Sequence, residues 1–302
     1  MIQLAPPNLG APELANLAAT VNTNYVGPGG GFVTKFEEMV ARAAQRKWAI
    51  AVVTGSVALG VSMEMLIPAG ATVQVGRNAF PAAKNSLERL EAHIVYNEGG
   101  ADHDYARYQG THCWASVADC APAIGNERTK DTVECYSFAA NKIVTCGQGG
   151  AIVGDDPGLE EQLRARIVQG YGMPEGYNFR MANVNAAMGC AQMDQLKEFR
   201  ARKVEIWDRY ADHFPMVGRG PSRWMSTVRF NRVPVKEVQD LLKVDGIESR
   251  IEPCGISIPC GTGLTDEEQT KVIESLKRIL TNEEHPRHHD GSRRCLASLS
   301  SY

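Results

Sequence analysis

No stretch of the sequence approaches the roughly 20 consecutive apolar residues that a membrane-spanning helix needs. The first residues, MIQLAPPNLGAPELA, carry neither a basic leader nor a continuous apolar run. The expectation is therefore a soluble, cytoplasmic protein. A dominant charge is missing as well: 32 basic and 35 acidic residues are mixed along the chain, for a formal charge of −3. That balance gives no electrostatic footprint for nucleic acid and points to small molecules, or further copies of the chain, as partners. There are eight cysteines but no CxxC pair, and the histidines of HPRHH stand in a polar tail without a ligand framework. No metal is expected, and buried reduced thiols are. What the 302 residues do have is a 43% hydrophobic content, enough to bury a substantial core.

The apolar residues recur in an alternating order. Phe32 to Arg46 has helical spacing and follows the turn GPGGG; WAIAVV then reads as a buried strand, GSVALGVSMEML as a helix, ATVQVG as a strand and PAAKNSLERLEA as a helix. HIVYN, CWASVAD, TVECYSF and AIVGD continue the strands, and Asp156 or its neighbour is placed to cap the helix of DPGLEEQLRARIV. This alternation implies an α/β fold with a parallel sheet covered on both faces. Residues 181–213 read as one long helix joining a large α/β domain, 1–204, to a small α+β domain, 205–282, of two strands and two helices. Residues 283–302 have no periodic apolar face and read as a disordered tail.

Several residues stand where such a sheet gathers ligands. Lys142 lies in SFAANKIVTCGQGG, on the turn between strands ending near Phe138 and starting at Ala151. A lysine in a loop is ordinary by itself. Here Ser137 precedes it, and Gly147, Gly149 and Gly150 follow, which lets backbone approach a bound group closely. Asp119 ends the strand CWASVAD, where a carboxylate entering the crevice calls for a cationic partner, unless it only caps a helix. In TGSVAL, Gly55, Ser56 and Val57 open a helix whose first amides, at Ser56 and Val57, form an anion site; a plain N-cap is the alternative. Phe80 offers a ring for stacking, or a core side chain. An amine, a carboxylate, an anion site and a flat ring, in consistent order, are the needs of a phosphorylated aldehyde cofactor.

With GPGGGFVTKFEE, ADCAPAIG and GYNFRMANVNAAMGCAQMDQL, and IESR and ISIPCGTGLTDEEQ in support, these motifs resemble the DegT/DnrJ/EryC1/StrS family of pyridoxal-phosphate (PLP) dependent sugar aminotransferases, which includes the perosamine synthetases. The likeness runs from about residue 8 to 282. It implies an aspartate-aminotransferase-type (type I) fold with a mostly parallel central sheet, helices on both faces and a small C-terminal α+β domain. It further implies a homodimer with shared active sites, and transfer of an amino group from an amino acid, usually glutamate, to a nucleotide-linked keto-deoxy sugar of the 4-keto-6-deoxy type.

By position, the resemblance makes Lys142 the Schiff-base lysine and proton shuttle, Asp119 the pyridinium partner and Phe80 the stacking ring. Ser56, Val57 and Ser137 become phosphate donors, Gly55 binds cofactor with them, and Asn178 reaches the phosphate of the neighbouring subunit. Arg180 and Tyr25 are assigned to substrate. A lysine rather than a histidine at 142 implies transamination rather than dehydration.

Departures from the family pattern are also legible. Pro122 replaces a polar residue, a strand and helix are expected to be missing between Leu90 and His93, and a long loop between Arg250 and Ile256. A shortened PLP-binding or regulatory relative is the second reading. A nucleotide loop at GPGGGF is a third, opposed by the absence of a GK[ST] ending.

Overall fold

The computed structural model describes residues 1–76, 79–97, 106–110, 113–168, 176–217, 221–230, 233–253 and 255–281. Helices α1 (Ala11–Asn22) and α2 (Gly31–Ala43) lead into β1 (Trp48–Val52), α3 (Gly55–Leu66), β2 (Thr72–Gly76), α4 (Pro81–Arg89) and β3 (His93–Asn97). Strands β4 (Ala106–Tyr108), β5 (Val117–Asp119), β6 (Val133–Ser137) and β7 (Gly150–Gly154) follow, then helices α5 (Pro157–Ile167), α6 (Asn183–Asp194) and α7 (Leu196–Ala211). The C-terminal part comprises β8 (Met216–Val217), β9 (Ser226–Val228), α8 (Val235–Val244), β10 (Arg250–Glu252), β11 (Gly255–Ile258) and α9 (Asp266–Thr281).

All five residues of β1 and of β7 are buried, because the sheet is covered on both sides. The period-two alternation of a strand assigns its residues to two cores. Ile50, Val52, Val133, Cys135 and Ile152 face α3 residues such as Leu59 and Met63. Ala49, Ala51, Tyr136, Ala151 and Val153 face Phe36 and Val40 of α2 and Ala186 and Cys190 of α6. A third cluster gathers Ile206, Tyr210, Val228, Ile256, Ile258, Val272 and Leu276 around the C-terminal sheet, and takes in Ile2 from the start of the chain. Helix α7 bridges the expected boundary at 204/205, since Leu196 packs on the second cluster and Ile206 and Tyr210 on the third.

The α/β class is as expected, but the sheet is mixed rather than mostly parallel. Its order is β1-β7-β6-β5-β4, and only β5 and β6 are parallel neighbours. Strand β7 runs against both β1 and β6 because it returns directly after the Lys142 turn, with no crossover helix to reverse it. Strands β2 and β3 form a separate parallel pair, tied to the β4 edge by a bridge between Val73 and Gly110.

Three further expectations are corrected. The unit β2-α4-β3 is complete, so nothing is missing between Leu90 and His93. The contraction lies between β3 and β5, where a three-residue β4 pairs antiparallel with β5 and the described residues contain no crossover helix. The long helix of 181–213 is two helices, broken at Gln195 (φ −99°, ψ 3°), whose side-chain Nε2 donates to Glu13 Oε1 at 2.8 Å. The C-terminal sheet has four strands, β10-β11-β9-β8, where two were expected: β8 and β10 are too short to show a period. At the expected loop deletion, β10 and β11 form a tight hairpin in which Glu252 pairs with Gly255. The tail at 283–302 lies outside the described residues. Six described cysteines are free thiols, five of them buried.

Candidate active site

The anion site begins at Thr54, which caps α3 by accepting the Val57 N–H on its hydroxyl at 3.1 Å. Val57's amide is therefore already engaged, contrary to the expectation that it faces an anion. Those of Gly55 and Ser56 have no acceptor among the described residues and stand at the positive end of α3. Two glycines let this turn meet the strand ends. A Cβ on Gly55 would come within 2.7 Å of the Ser137 Cβ, and one on Gly150 within 2.3 Å of the Thr54 carbonyl oxygen. Gly55, Ser137 and Gly150 thus bring the turn, the end of β6 and the start of β7 into direct contact. The atoms a Cβ on Gly150 would meet are backbone of Thr54 and Gly55 rather than a flexible side chain, so Gly150→Ala is expected to cost about 1–3 kcal/mol and to lower Tm by several degrees in a thermal melt.

Lys142 stands on the turn that follows, its N–H bonded to the Ala139 carbonyl at 3.0 Å. The far end of this turn is held by Asn185, which donates to the Cys146 carbonyl at 2.8 Å. Its near end is held by the Trp224 indole N–H, on the Asn141 carbonyl at 2.7 Å. Asp119, at the end of the neighbouring β5, accepts the Ala121 N–H on Oδ1 at 3.1 Å. Burial pushes the Asp119 carboxyl up; the Ala121 bond and the Lys142 charge oppose it. Burial lowers the Lys142 amine to about 8, with Asp119 opposing and Arg250 of β10 adding to the fall. Each group acts electrostatically on the other, as their places at the ends of the neighbouring strands β5 and β6 allow.

The other expected site residues lie around this centre at different removes. Arg180 pairs with Val52, and the Val53 N–H donates to the Phe179 carbonyl at 2.9 Å, which sets Arg180 beside the chain entering the α3 turn. Arg180 Nη2 reaches Asn178 Oδ1 at 3.4 Å, and Asn178 is exposed. Tyr25 is half exposed, and its carbonyl accepts from Asn183 at 2.7 Å, next to Gly30. Phe80 is the N-cap residue of α4 and 61% exposed, so it is not a core side chain; no described contact joins it to Lys142 or Asp119. Sequence reasoning missed Trp224, Arg250 and Tyr108. Tyr108 is fully buried in β4 with no hydrogen-bond partner for its hydroxyl among the described residues, and burial and the Asp119 charge both push its pKa up. No local signal marks these three, because each reaches the centre from a distant element.

The sequence profile of the DegT/DnrJ/EryC1/StrS aminotransferase family matches residues 7–106 and 108–227. The chain belongs to this family. Among DegT/DnrJ/EryC1/StrS relatives, GDP-perosamine synthase of Caulobacter vibrioides is 25% identical, aligned over 92% of this chain and 98% of its own length. That alignment spans 366 positions against 302 residues here, so this chain lacks at least 64 positions that the relative has. Among solved structures, the aminotransferase TlmJ of Streptoalloteichus hindustanus superposes with a TM-score of 0.80 at 20% identity, covering 93% of this chain and 99% of its own. DesI, solved with its TDP-sugar product, gives 0.79 at 20% identity, with 93% of each chain covered. These likenesses establish the aspartate-aminotransferase-type fold.

A DegT/DnrJ/EryC1/StrS aminotransferase uses pyridoxal phosphate. The residues present suit it: the partly buried Asp119 carboxylate is disfavoured without a positive partner, the free amides of α3 suit a phosphate, and Lys142 has an amine made reactive by partial burial. No described helix is long and apolar enough to cross a membrane.

Proposed function

We propose that the protein moves an amino group from an amino-acid donor, glutamate, to a nucleotide-linked keto sugar of the 4-keto-6-deoxy type, as a homodimer with shared active sites. The observation that carries this reading is the placement of Lys142, on the turn leaving β6, and Asp119, at the end of the neighbouring β5, by strand ends that meet the open amides of α3. The sugar class is supported by alignment along nearly the whole chain with a protein named GDP-perosamine synthase. A division into a large unit, 1–204, and a small one, 205–282, goes with this proposal.

Bound pyridoxal phosphate would supply an aldehyde for the substrate nitrogen and a ring that accepts the electron pair freed at carbon. The chain does the rest. Gly55 and Ser56 amides, with the hydroxyls of Ser56 and Ser137, bind the phosphate and fix the ring's position. Asp119 holds a proton on the ring nitrogen by pairing with it in a crevice of low dielectric. Lys142 Nζ binds the cofactor at rest and, once released, carries a proton away from the donor's α-carbon and gives it up again. Phe80 stacks on the ring, and Asn178 serves the phosphate of the neighbouring subunit. Arg180 and the exposed Tyr25 contact substrate.

The test is in two halves. Protein loaded with pyridoxal phosphate should convert it to the aminated form on adding glutamate, read by absorbance, and a nucleotide-linked 4-keto-6-deoxy sugar should reverse the change. A cofactor spectrum indifferent to glutamate would instead support a shortened, catalytically impaired relative. The contraction between β3 and β5 and the 64 missing positions favour that second reading.

A pH dependence follows from the amine. Only neutral Lys142 attacks the aldehyde, so its condensation rate should rise tenfold per pH unit below about 8 and level off above it. An ordinary lysine would keep rising toward about 10.4. Borohydride trapping at short times, followed by mass spectrometry of the Lys142 peptide, measures this profile.

A further inference from the structure

Trp224 belongs to the C-terminal part of the chain, just ahead of β9, yet its side chain ends at the lysine turn. Its indole N–H donates to the Asn141 carbonyl at 2.7 Å, and its ring lies 3.6 Å, centroid to Nζ, from the Lys142 amine. Consecutive residues of the turn are thus held by two different parts of one indole. Trp224 is itself anchored through its main chain: its backbone N–H donates to the hydroxyl of the buried Ser222 at 3.4 Å, and its backbone carbonyl accepts the Cys260 thiol at 3.7 Å. A solvated lysine does not need this arrangement. An amine that alternates between bound and free does, because a free ammonium in a partly dry crevice requires a fixed place to wait.

We propose that Trp224 is a positioning residue for Lys142, receiving the protonated amine on its indole face whenever the amine is free and holding the turn at Asn141 so that the amine returns to one place. The inference rests on the reading of Lys142 as the reacting amine. The charged groups facing that amine are Asp119 from the end of β5, which favours the ammonium, and Arg250 of β10, which opposes it while paired with Glu252 at 2.6 Å. Trp224 adds a third contribution, favouring the ammonium through the ring quadrupole. When Lys142 takes up a proton, the new positive charge forms against the π face; when it gives the proton up, that attraction is lost and the neutral amine is free to leave.

The experiment compares the wild type with Trp224→Leu, which loses ring and N–H, and Trp224→Phe, which keeps a ring but not the N–H. Pyridoxal phosphate condensation is followed from pH 6 to 10 on cofactor-free protein by borohydride trapping, with Lys142 identified by peptide mass. In Trp224→Leu the inflection should fall by roughly half to one pH unit, as loss of a cation–π contact in a partly desolvated site requires. In Trp224→Phe the fall should be smaller, while kcat for glutamate drops roughly tenfold with KM unchanged, because the turn is freed but the donor's contacts remain. An unmoved or raised inflection in both variants would overturn the proposal, as would a change confined to KM. Should Trp224→Leu fail to fold, the Trp224→Phe inflection and its kcat-against-KM split decide. Absence of trapping at Lys142 in the wild type would overturn the functional reading itself and this proposal with it, whereas trapping in the wild type with no difference in the variants sinks only the role of Trp224.

Discussion

Lys142→Ala should abolish amino transfer, with a fall of more than about 10⁴-fold, because the same nitrogen both binds the cofactor and carries the proton. Borohydride should then fix no cofactor to the protein, and the absorption of added pyridoxal phosphate should remain that of the free compound. The fold should survive. Lys142's amine is lowered to about 8 by burial, so at neutral pH the folded state holds an ammonium that it disfavours relative to the unfolded chain. The sign follows from linkage: a lowered amine makes the cofactor-free protein less stable below about 8, and that cost is relieved as pH rises through 8 toward the ordinary lysine value. Alanine removes the cost at every pH. A melting temperature equal to or above the wild type's at pH 7, with no trapped cofactor, is the expected pair of results. Residual turnover at a tenth of the wild-type rate would be incompatible with the role given to this residue.

Asp119→Asn should retain cofactor binding through the α3 amides and Lys142 yet lower turnover by roughly 10²–10⁴-fold, since a neutral amide cannot hold the proton on the ring nitrogen. Its stability should move the other way from that of most buried substitutions. Burial raises the Asp119 pKa, so the folded, cofactor-free protein is penalised for the carboxylate at neutral pH, and the penalty is relieved as pH falls through the raised value. Asparagine has no such charge, and the cofactor-free variant should melt at or above the wild-type temperature. In the loaded wild type the ring cation compensates the carboxylate, so adding cofactor should raise the melting temperature more for the wild type than for Asp119→Asn. Equal shifts in both proteins would remove Asp119 from the ring nitrogen.

The contraction between β3 and β5 adds a second departure from a parallel α/β plan to the one made by β7. A β4 parallel to β5 would need a crossover of a dozen or more residues, and the chain supplies only the segment from 109 to 116 between them. An antiparallel β4 is the arrangement that so short a connection allows. It leaves β3 at the far edge of its sheet, with Val95 and Tyr96 each about half exposed.

The sequence alone determined the elements whose signal is local. Buried strands such as WAIAV and GAIVG, the amphipathic α2, a cap at the start of α5 and the alternation of strand with helix are all written in neighbouring residues, because periodicity and capping act over a few positions. The sequence also marked Lys142, Asp119, Ser137 and the TGSV turn, since glycines and strand ends announce themselves locally. Tertiary structure decided everything that depends on which distant segments meet: the reversed sense of β7, the break at Gln195 drawn to Glu13, and the engagement of Val57's amide by Thr54. It also decided that Trp224, Arg250 and Tyr108 converge on the lysine and the carboxylate. Hydrogen bonds and charge effects of this kind are fixed by distance in space, and residues far apart along a chain carry no record of that distance in their neighbours.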